Sequence, residues 1–403
     1  MANLLWGKVY YQDHYAGVLR QEPGDGASFT YDASYLTSEY PAIAHTLPLQ
    51  ITPHVSQTGL HPFFDNLVAE GWLENAQTRL LGKRIISRFE LLLAFGYDCA
   101  GAVSVVDPEP ARISNTLLDL KDSKEMALFK SRASLSGVQP KLALIQKEGK
   151  FFPAKMNELS THIAKFPSLG HGDLTINEYL ITKAFKALLP EDDVVDLWMD
   201  EIEGFSEPVL LIKRFDRSFE GRIHFEEFNQ LLGNKSSAKY NGSYSEMSDF
   251  IKQIKGCLPV ENYRLFSRIL AGLLCGNTDM HLKNFAMFHT SAGLRLAPSY
   301  DQVAASLYNY KSVALMLAGA SNVHIGKLKA KHIIRLMEEF SLPKSALEMI
   351  IKQLMRNKEA AKIAIMDDKH IGTTEFKNKL IKLMETRWNA TFSLIGQTLL
   401  KKP

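Results

Sequence analysis

Ten consecutive residues concentrate the chemistry of this chain: Gly276-Asn277-Thr278-Asp279-Met280-His281-Leu282-Lys283-Asn284-Phe285, directly after the apolar run Ile269-Leu270-Ala271-Gly272-Leu273-Leu274. Asp279 and Asn284 stand five positions apart. In phosphoryl transfer that spacing sets an acid, which accepts the proton of an attacking hydroxyl, near an amide that holds a metal ion. A second acid follows. Leu294-Arg295-Leu296-Ala297-Pro298-Ser299-Tyr300-Asp301 reads as a short strand ending in a carboxylate, where such enzymes place the Asp that holds Mg²⁺ against the phosphates. An isolated D-x-x-x-x-N more often marks a hydrogen-bonded loop at a helix end, so other segments have to supply the phosphate and nucleotide contacts.

Three upstream segments offer them, in the order a protein kinase would use. Arg132-Ala133-Ser134-Leu135-Ser136-Gly137-Val138-Gln139-Pro140-Lys141 leads into the apolar strand Leu142-Ala143-Leu144-Ile145. A turn with Ser, Gly and Lys can fold over phosphates, because backbone N–H groups and hydroxyls donate and Gly permits close approach. The stretch is neither G-x-x-x-x-G-K-[ST] nor G-x-G-x-x-G, and the same residues also suit an ordinary hairpin turn. Thr161 to Phe166 reads as a strand carrying Lys165, placed to reach α and β phosphates, and Glu178 near the start of a helix from Thr175 to Leu188 is a candidate partner for it. Val209-Leu210-Leu211-Ile212 then runs into Lys213-Arg214-Phe215-Asp216-Arg217, a buried strand and charged turn whose backbone could hydrogen-bond an adenine.

The elements that must position these residues are legible from periodicity. Residues 4 to 37 read as short antiparallel strands, with turns at Asp13-His14 and Pro23-Gly24-Asp25-Gly26. Pro62 to Leu73 and Ser87 to Phe95 read as helices, and Gly101 to Val106 as a closing strand. The Pro108-Glu109-Pro110 break ends a small α+β domain, so the expected division is 1–107, a nucleotide-binding part over 108–225, and a helical part over 226–403. In that last part Asn262 to Leu274, Lys331 to Phe340, Lys344 to Met355 and Thr374 to Leu399 show apolar recurrence at three and four, with Lys377, Lys379, Lys382 and Arg387 expected on a solvated face.

Composition narrows the class. A chain of 403 residues, 46% hydrophobic, can bury a large core. Lys+Arg 47 against Asp+Glu 44 leaves a net charge of +3, too balanced to hold nucleic acid by its own field, so contact with DNA is expected only through a partner. Three scattered cysteines, Cys99, Cys257 and Cys275, suggest neither a disulfide framework nor a zinc site. With no apolar run near the roughly 20 residues that span a bilayer, the expectation is a cytoplasmic protein without a membrane segment.

With those segments in kinase order, the chain resembles the HipA family of serine/threonine kinases, toxins of bacterial toxin–antitoxin modules. The family-like stretches include Leu47-Pro48-Leu49-Gln50, Phe63-Phe64-Asp65-Asn66-Leu67, Gly101-Ala102-Val103, Ser136 to Lys141, Arg214-Phe215-Asp216-Arg217 and Asn277 to Phe285. The resemblance implies a two-lobed, protein-kinase-like α+β fold with an all-helical C-terminal lobe. It implies that Asp279 is the catalytic base and that Asn284 and Asp301 bind Mg²⁺. For ATP it implies Ser136, Gly137, Val138, Gln139, Pro140, Lys141 and Lys165 at the phosphates, Lys213, Arg214 and Phe215 as the adenine hinge, and His281, Lys283 and Tyr300 in support. It further implies autophosphorylation at Ser134 or Ser136, a helix-turn-helix antitoxin (HipB-like) as partner, and an aminoacyl-tRNA synthetase as the phosphorylated protein. A module that only binds the antitoxin and co-represses, its kinase activity dispensable or lost, is the rival reading. Ser136 stands where the family often has Ala or Gly, and Pro140 where it often has an acid. The two serines resemble a HipT-like subgroup whose amino-terminal (HipS-like) domain can be a separate polypeptide; here residues 1–107 are fused.

Overall fold

The computed structural model describes residues 4–82, 86–109, 139–155, 158–167, 172–205 and 207–400. The chain divides into two compact units, Met1–Ser168 with Leu197–Ser237, and Leu169–Asp196 with Ala238–Pro403.

The first unit opens with β1 (Trp6–Tyr11), β2 (His14–Gln21), β3 (Ala27–Tyr31), β4 (His54–Ser56) and β5 (Val103–Val106), a five-stranded sheet in the order β4-β3-β2-β1-β5. The first turn falls one residue earlier than expected, on Gln12 and Asp13, whose φ values of 47° and 68° give the two positive-φ positions that a tight hairpin between right-twisted strands requires. The expected single helix over Pro62 to Leu73 is two, Pro62–Leu67 and Gly71–Leu80. Val68 turns extended at φ −76°, ψ 141°, and Gly71 takes φ 60°, which only glycine adopts cheaply. Arg88–Phe95 starts where the sequence places it, because Ser87 and Glu90 close a capping box.

A second sheet completes this unit: β6 (Lys141–Lys147), β7 (Lys150–Pro153), β8 (His162–Lys165), β9 (Leu197–Asp200) and β10 (Val209–Lys213), in the order β7-β6-β8-β10-β9. One hydrophobic cluster joins the two sheets, running from Val9 and Phe29 through Leu92 and Val105 to Leu142, Phe166 and Leu211. Beyond β10 a short hairpin, β11 (Arg217–Ser218) and β12 (Gly221–Arg222), precedes β13 (Phe225–Glu227).

The second unit is built on helices Leu174–Leu188, Tyr244–Gln253, Pro259–Cys275, Ala330–Glu339, Lys344–Met366 and Thr374–Ala390. It is not all-helical as expected: β14 (Ala286–Thr290) and β15 (Gly293–Leu296) form an antiparallel hairpin between the 276–285 stretch and Asp301. The expected helix Thr374 to Leu399 breaks at Thr391, at φ −133° and ψ −62°. Of its basic residues Lys379 and Lys382 are exposed, but Lys377 and Arg387 are buried, donating to the Asp368 and Ile325 carbonyls. Among the described residues no helix is long and apolar enough to cross a membrane.

Candidate active site

The apolar helix Pro259–Cys275 stops at Gly276, which takes φ 80° and returns its amide to the last turn. Only glycine fits: a Cβ there would lie 2.7 Å from Ser306 Oγ and collide with Leu383. The polar stretch therefore leaves a rigid, buried helix end. Its backbone is then fixed piece by piece. Asn277 Nδ2 donates to Gln302 Oε1 at 3.2 Å while Asn277 Oδ1 accepts from the Asp279 amide at 3.1 Å, and the buried Tyr244 hydroxyl donates to the Met280 carbonyl at 3.1 Å.

Three of the residues singled out by spacing meet in this frame. Asn284 Nδ2 donates to Asp301 Oδ2 at 2.7 Å, and Asn284 Oδ1 accepts from the His281 amide at 3.1 Å. Asp301 sits at φ 57°, a left-handed conformation in which a short polar side chain is tolerated. Burial pushes the Asp279 carboxyl up from its ordinary value to about 6; the Asp301 charge adds to the rise, while the Tyr240 hydroxyl and the Lys239 ammonium oppose it. His281 and Lys283 are buried beside them, the Lys283 amide donating to His281 Nδ1 at 3.3 Å, and the Tyr300 hydroxyl donates to the Lys283 carbonyl at 2.8 Å. Asn284 meets Asp301 through its amide nitrogen while its oxygen accepts from the His281 amide; that oxygen and the Asp301 carboxylate are hard donors of the kind Mg²⁺ takes, and a carboxyl near pH 6 suits a base working at neutral pH.

In the first unit, Ser134, Ser136, Gly137 and Val138 lie outside the described residues. Gln139, Pro140 and Lys141 are held against the end of β8: Gln139 Nε2 donates to the Phe166 carbonyl at 2.8 Å, and the Phe166 amide donates to the Pro140 carbonyl at 2.9 Å. That tie fixes the register in which Lys141 faces Lys165 across β6 and β8. Directly opposed residues share one face of a sheet, so two buried lysines stand on one face. Glu178 is buried in the helix Leu174–Leu188.

Of the three expected hinge residues, Arg214 is buried. Its amide already donates to the Thr161 carbonyl at 3.0 Å, and its guanidinium is buried in ion pairs with Asp98 at 3.2 Å and Asp216 at 2.7 Å. Arg217 joins the same cluster at 2.7 Å from Asp98 and from Asp216, and Ser160 Oγ donates to Asp98 at 2.6 Å. Burial alone would raise the Asp98 carboxyl, but Arg214 and Arg217 hold it below the usual range. The Arg214-Phe215-Asp216-Arg217 quartet thus ties β10 to the loop before β5. Lys213 ends β10 exposed, and Phe215 packs its ring on Phe225 at 4.9 Å.

Tyr240 is the residue that spacing did not reveal. Its hydroxyl donates to Asp279 Oδ1 at 3.0 Å from a loop with no motif of its own.

Residues 133–362 match the family model of the HipA-like C-terminal domain, and residues 7–106 match that of the HipA N-terminal domain. The chain belongs to the HipA family of serine/threonine kinases. It is similar to the serine/threonine-protein kinase toxin HipA of Shewanella oneidensis, 28% identical over 363 residues and 81% of each chain, and to the putative kinase Y4mE of Sinorhizobium fredii, 24% identical over 351 residues, 80% of this chain and 82% of that one. Its fold is that of the HipA chain in a Shewanella oneidensis complex of HipA, HipB and operator DNA, with a TM-score of 0.75 at 22% identity, covering 97% of this chain and 99% of that one.

Proposed function

We propose that this HipA-family kinase is an ATP- and Mg²⁺-dependent toxin that transfers the γ-phosphoryl group of ATP to a protein serine or threonine, an aminoacyl-tRNA synthetase by family, in the cytoplasm. The observation that carries the reading is the Asn284–Asp301 contact of 2.7 Å beside a carboxyl, Asp279, raised to about 6. Asp279 orients the acceptor hydroxyl and takes its proton; Asn284 and Asp301 hold the metal; Lys141, Lys165 and the 136–140 loop hold phosphates; Lys213 and Phe215 flank the adenine; and His281, Lys283 and Tyr300 brace the site. Mg²⁺ held by Asn284 and Asp301 would neutralise charge that develops on the transferring phosphoryl group. The residues around it contribute positioning and fixed dipoles. A HipB-like helix-turn-helix antitoxin is the proposed partner, supported by the fold shared with the HipA of the HipA–HipB–DNA complex, and any DNA contact runs through it. Antitoxin binding and co-repression are compatible with catalysis, and a scaffold alone has no use for a raised carboxyl beside paired metal ligands.

The two-serine stretch supports a place in the HipT-like subgroup, with Ser134 or Ser136 as the proposed site of autophosphorylation. A phosphoserine there carries about −1.5 to −2 charges and would compete with ATP for Lys141 and Lys165, switching the kinase off. Intact-mass measurement after incubation with Mg²⁺-ATP tests this: added phosphate on wild type, less on Ser134→Ala or Ser136→Ala. A wild-type protein that neither gains phosphate nor consumes ATP overturns the proposed function.

A further inference from the structure

Among the described residues the Asp279 carboxylate has one hydrogen-bond partner, the Tyr240 hydroxyl at 3.0 Å. The contact is not a casual meeting of two surface side chains. The Tyr240 ring stands edge-on to the His281 ring, 5.0 Å between centroids at 84°, and the Lys239 ammonium lies over its face at 5.6 Å. The main chain beside it is tied to the same stretch by the Leu282 amide, which donates to the Lys239 carbonyl at 3.1 Å, and is closed into a turn by the Asn241 amide, which donates to the Ala238 carbonyl at 2.8 Å. A tyrosine that is 48% exposed is thus held from its face, its edge and its main chain, with the hydroxyl aimed at one carboxylate oxygen.

We infer that Tyr240 is a positioning residue for phosphoryl transfer: by holding Asp279 Oδ1 it sets the carboxylate plane and presents Oδ2 to the acceptor hydroxyl. The inference rests on the kinase reading and adds to it a residue outside the catalytic stretch. Without the hydroxyl, the carboxylate rotates about a broad sp³–sp² torsion and spends less time in the productive orientation. Both ground-state nucleotide binding and the fold are independent of that torsion, so the loss falls on kcat. Hydrogen bonds to charged groups are among the stronger ones, and a drop of roughly 10-fold is expected on removing this one.

The test measures release or transfer of the γ-phosphate of Mg²⁺-ATP by the full chain in four versions: wild type, Tyr240→Phe, Asp279→Asn and the double variant. Tyr240→Phe keeps the ring, its His281 contact and the fold. The expected result is kcat lowered about 10-fold with KM for ATP and the melting temperature unchanged. On the Asp279→Asn background the same substitution is expected to have no further effect, which a general structural role would not produce. If Asp279→Asn is inactive and Tyr240→Phe turns over like wild type, or if Tyr240→Phe lowers the rate equally on the wild-type and Asp279→Asn backgrounds, the inference fails and the kinase reading stands. If Asp279→Asn is as active as wild type, or wild type leaves ATP intact, the reading itself fails and the inference with it.

Discussion

At the scale of single residues, the raised Asp279 carboxyl has a cost that can be measured without any substrate. In the folded chain Asp279 keeps its proton up to about 6, whereas in the unfolded chain it releases it near the ordinary carboxylate value of about 4. Between those values the folded state binds more protons, so stability falls as pH rises through the window and the cost is fully present above it. Asp279→Asn removes that cost. In metal-free buffer near neutral pH the Asn variant is expected to be more stable by roughly 1 to 3 kcal/mol, and below about pH 4 the two proteins should melt together. Equal stability at both pH values would mean that burial does not strain this carboxylate. The two acids and the amide of the site could be singled out because Asp279 and Asn284 stand five positions apart and Asp301 ends the strand that follows them. Tyr240 was not, because it reaches Asp279 across 39 residues of sequence and a lone tyrosine in a loop carries no spacing to read.

At the scale of elements, strands were read more faithfully than the long helices. β1 falls where alternation placed it, since one buried face imposes a period of two, and β8 lies inside the 161–166 strand. The 62–73 segment failed as one helix because the apolar pattern continues through Val68 while the backbone does not; Gly71 was the available signal. The Arg214-Phe215-Asp216-Arg217 quartet was legible as a charged turn after a buried strand, but its partner Asp98 lies 116 positions upstream of Arg214, beyond any local pattern. That partner now bears a prediction. The side chains of Asp98, Arg214 and Arg217 are all nearly excluded from solvent, at 2%, 2% and 5% exposure. Asp98→Ala would leave Arg214, Arg217 and Arg222 with Asp216 as their one remaining acid in the cluster, and removing one partner of a buried pair costs about 3 to 5 kcal/mol. Urea unfolding of the variant should show a loss of that size. A loss below about 1 kcal/mol would mean the cluster is solvated and does not join β10 to the amino-terminal domain.

At the scale of the whole molecule, the break in sequence composition near Pro108-Glu109-Pro110 and the two family-model matches, 7–106 and 133–362, suggest a chain cut in two at one place. Packing divides it differently. Val9 and Val105 share one hydrophobic cluster with Leu142 and Leu211, so the amino-terminal domain and the strand that carries Lys165 belong to one compact unit, while Asp279, Asn284 and Asp301 belong to the other. Sequence composition reports linkers; it does not report which apolar faces meet across them. The net charge of +3 leaves little excess of cations for a basic surface.

The central claim is that Asp279 is the base of a phosphoryl transfer. Its most direct test is the initial rate at which wild type and Asp279→Asn transfer labelled γ-phosphate from Mg²⁺-ATP, with ATP affinity measured on the same preparations. The variant's rate is expected to be lower by about 10² to 10⁴-fold with ATP affinity nearly unchanged. An Asn variant that transfers phosphate at close to the wild-type rate would contradict the claim.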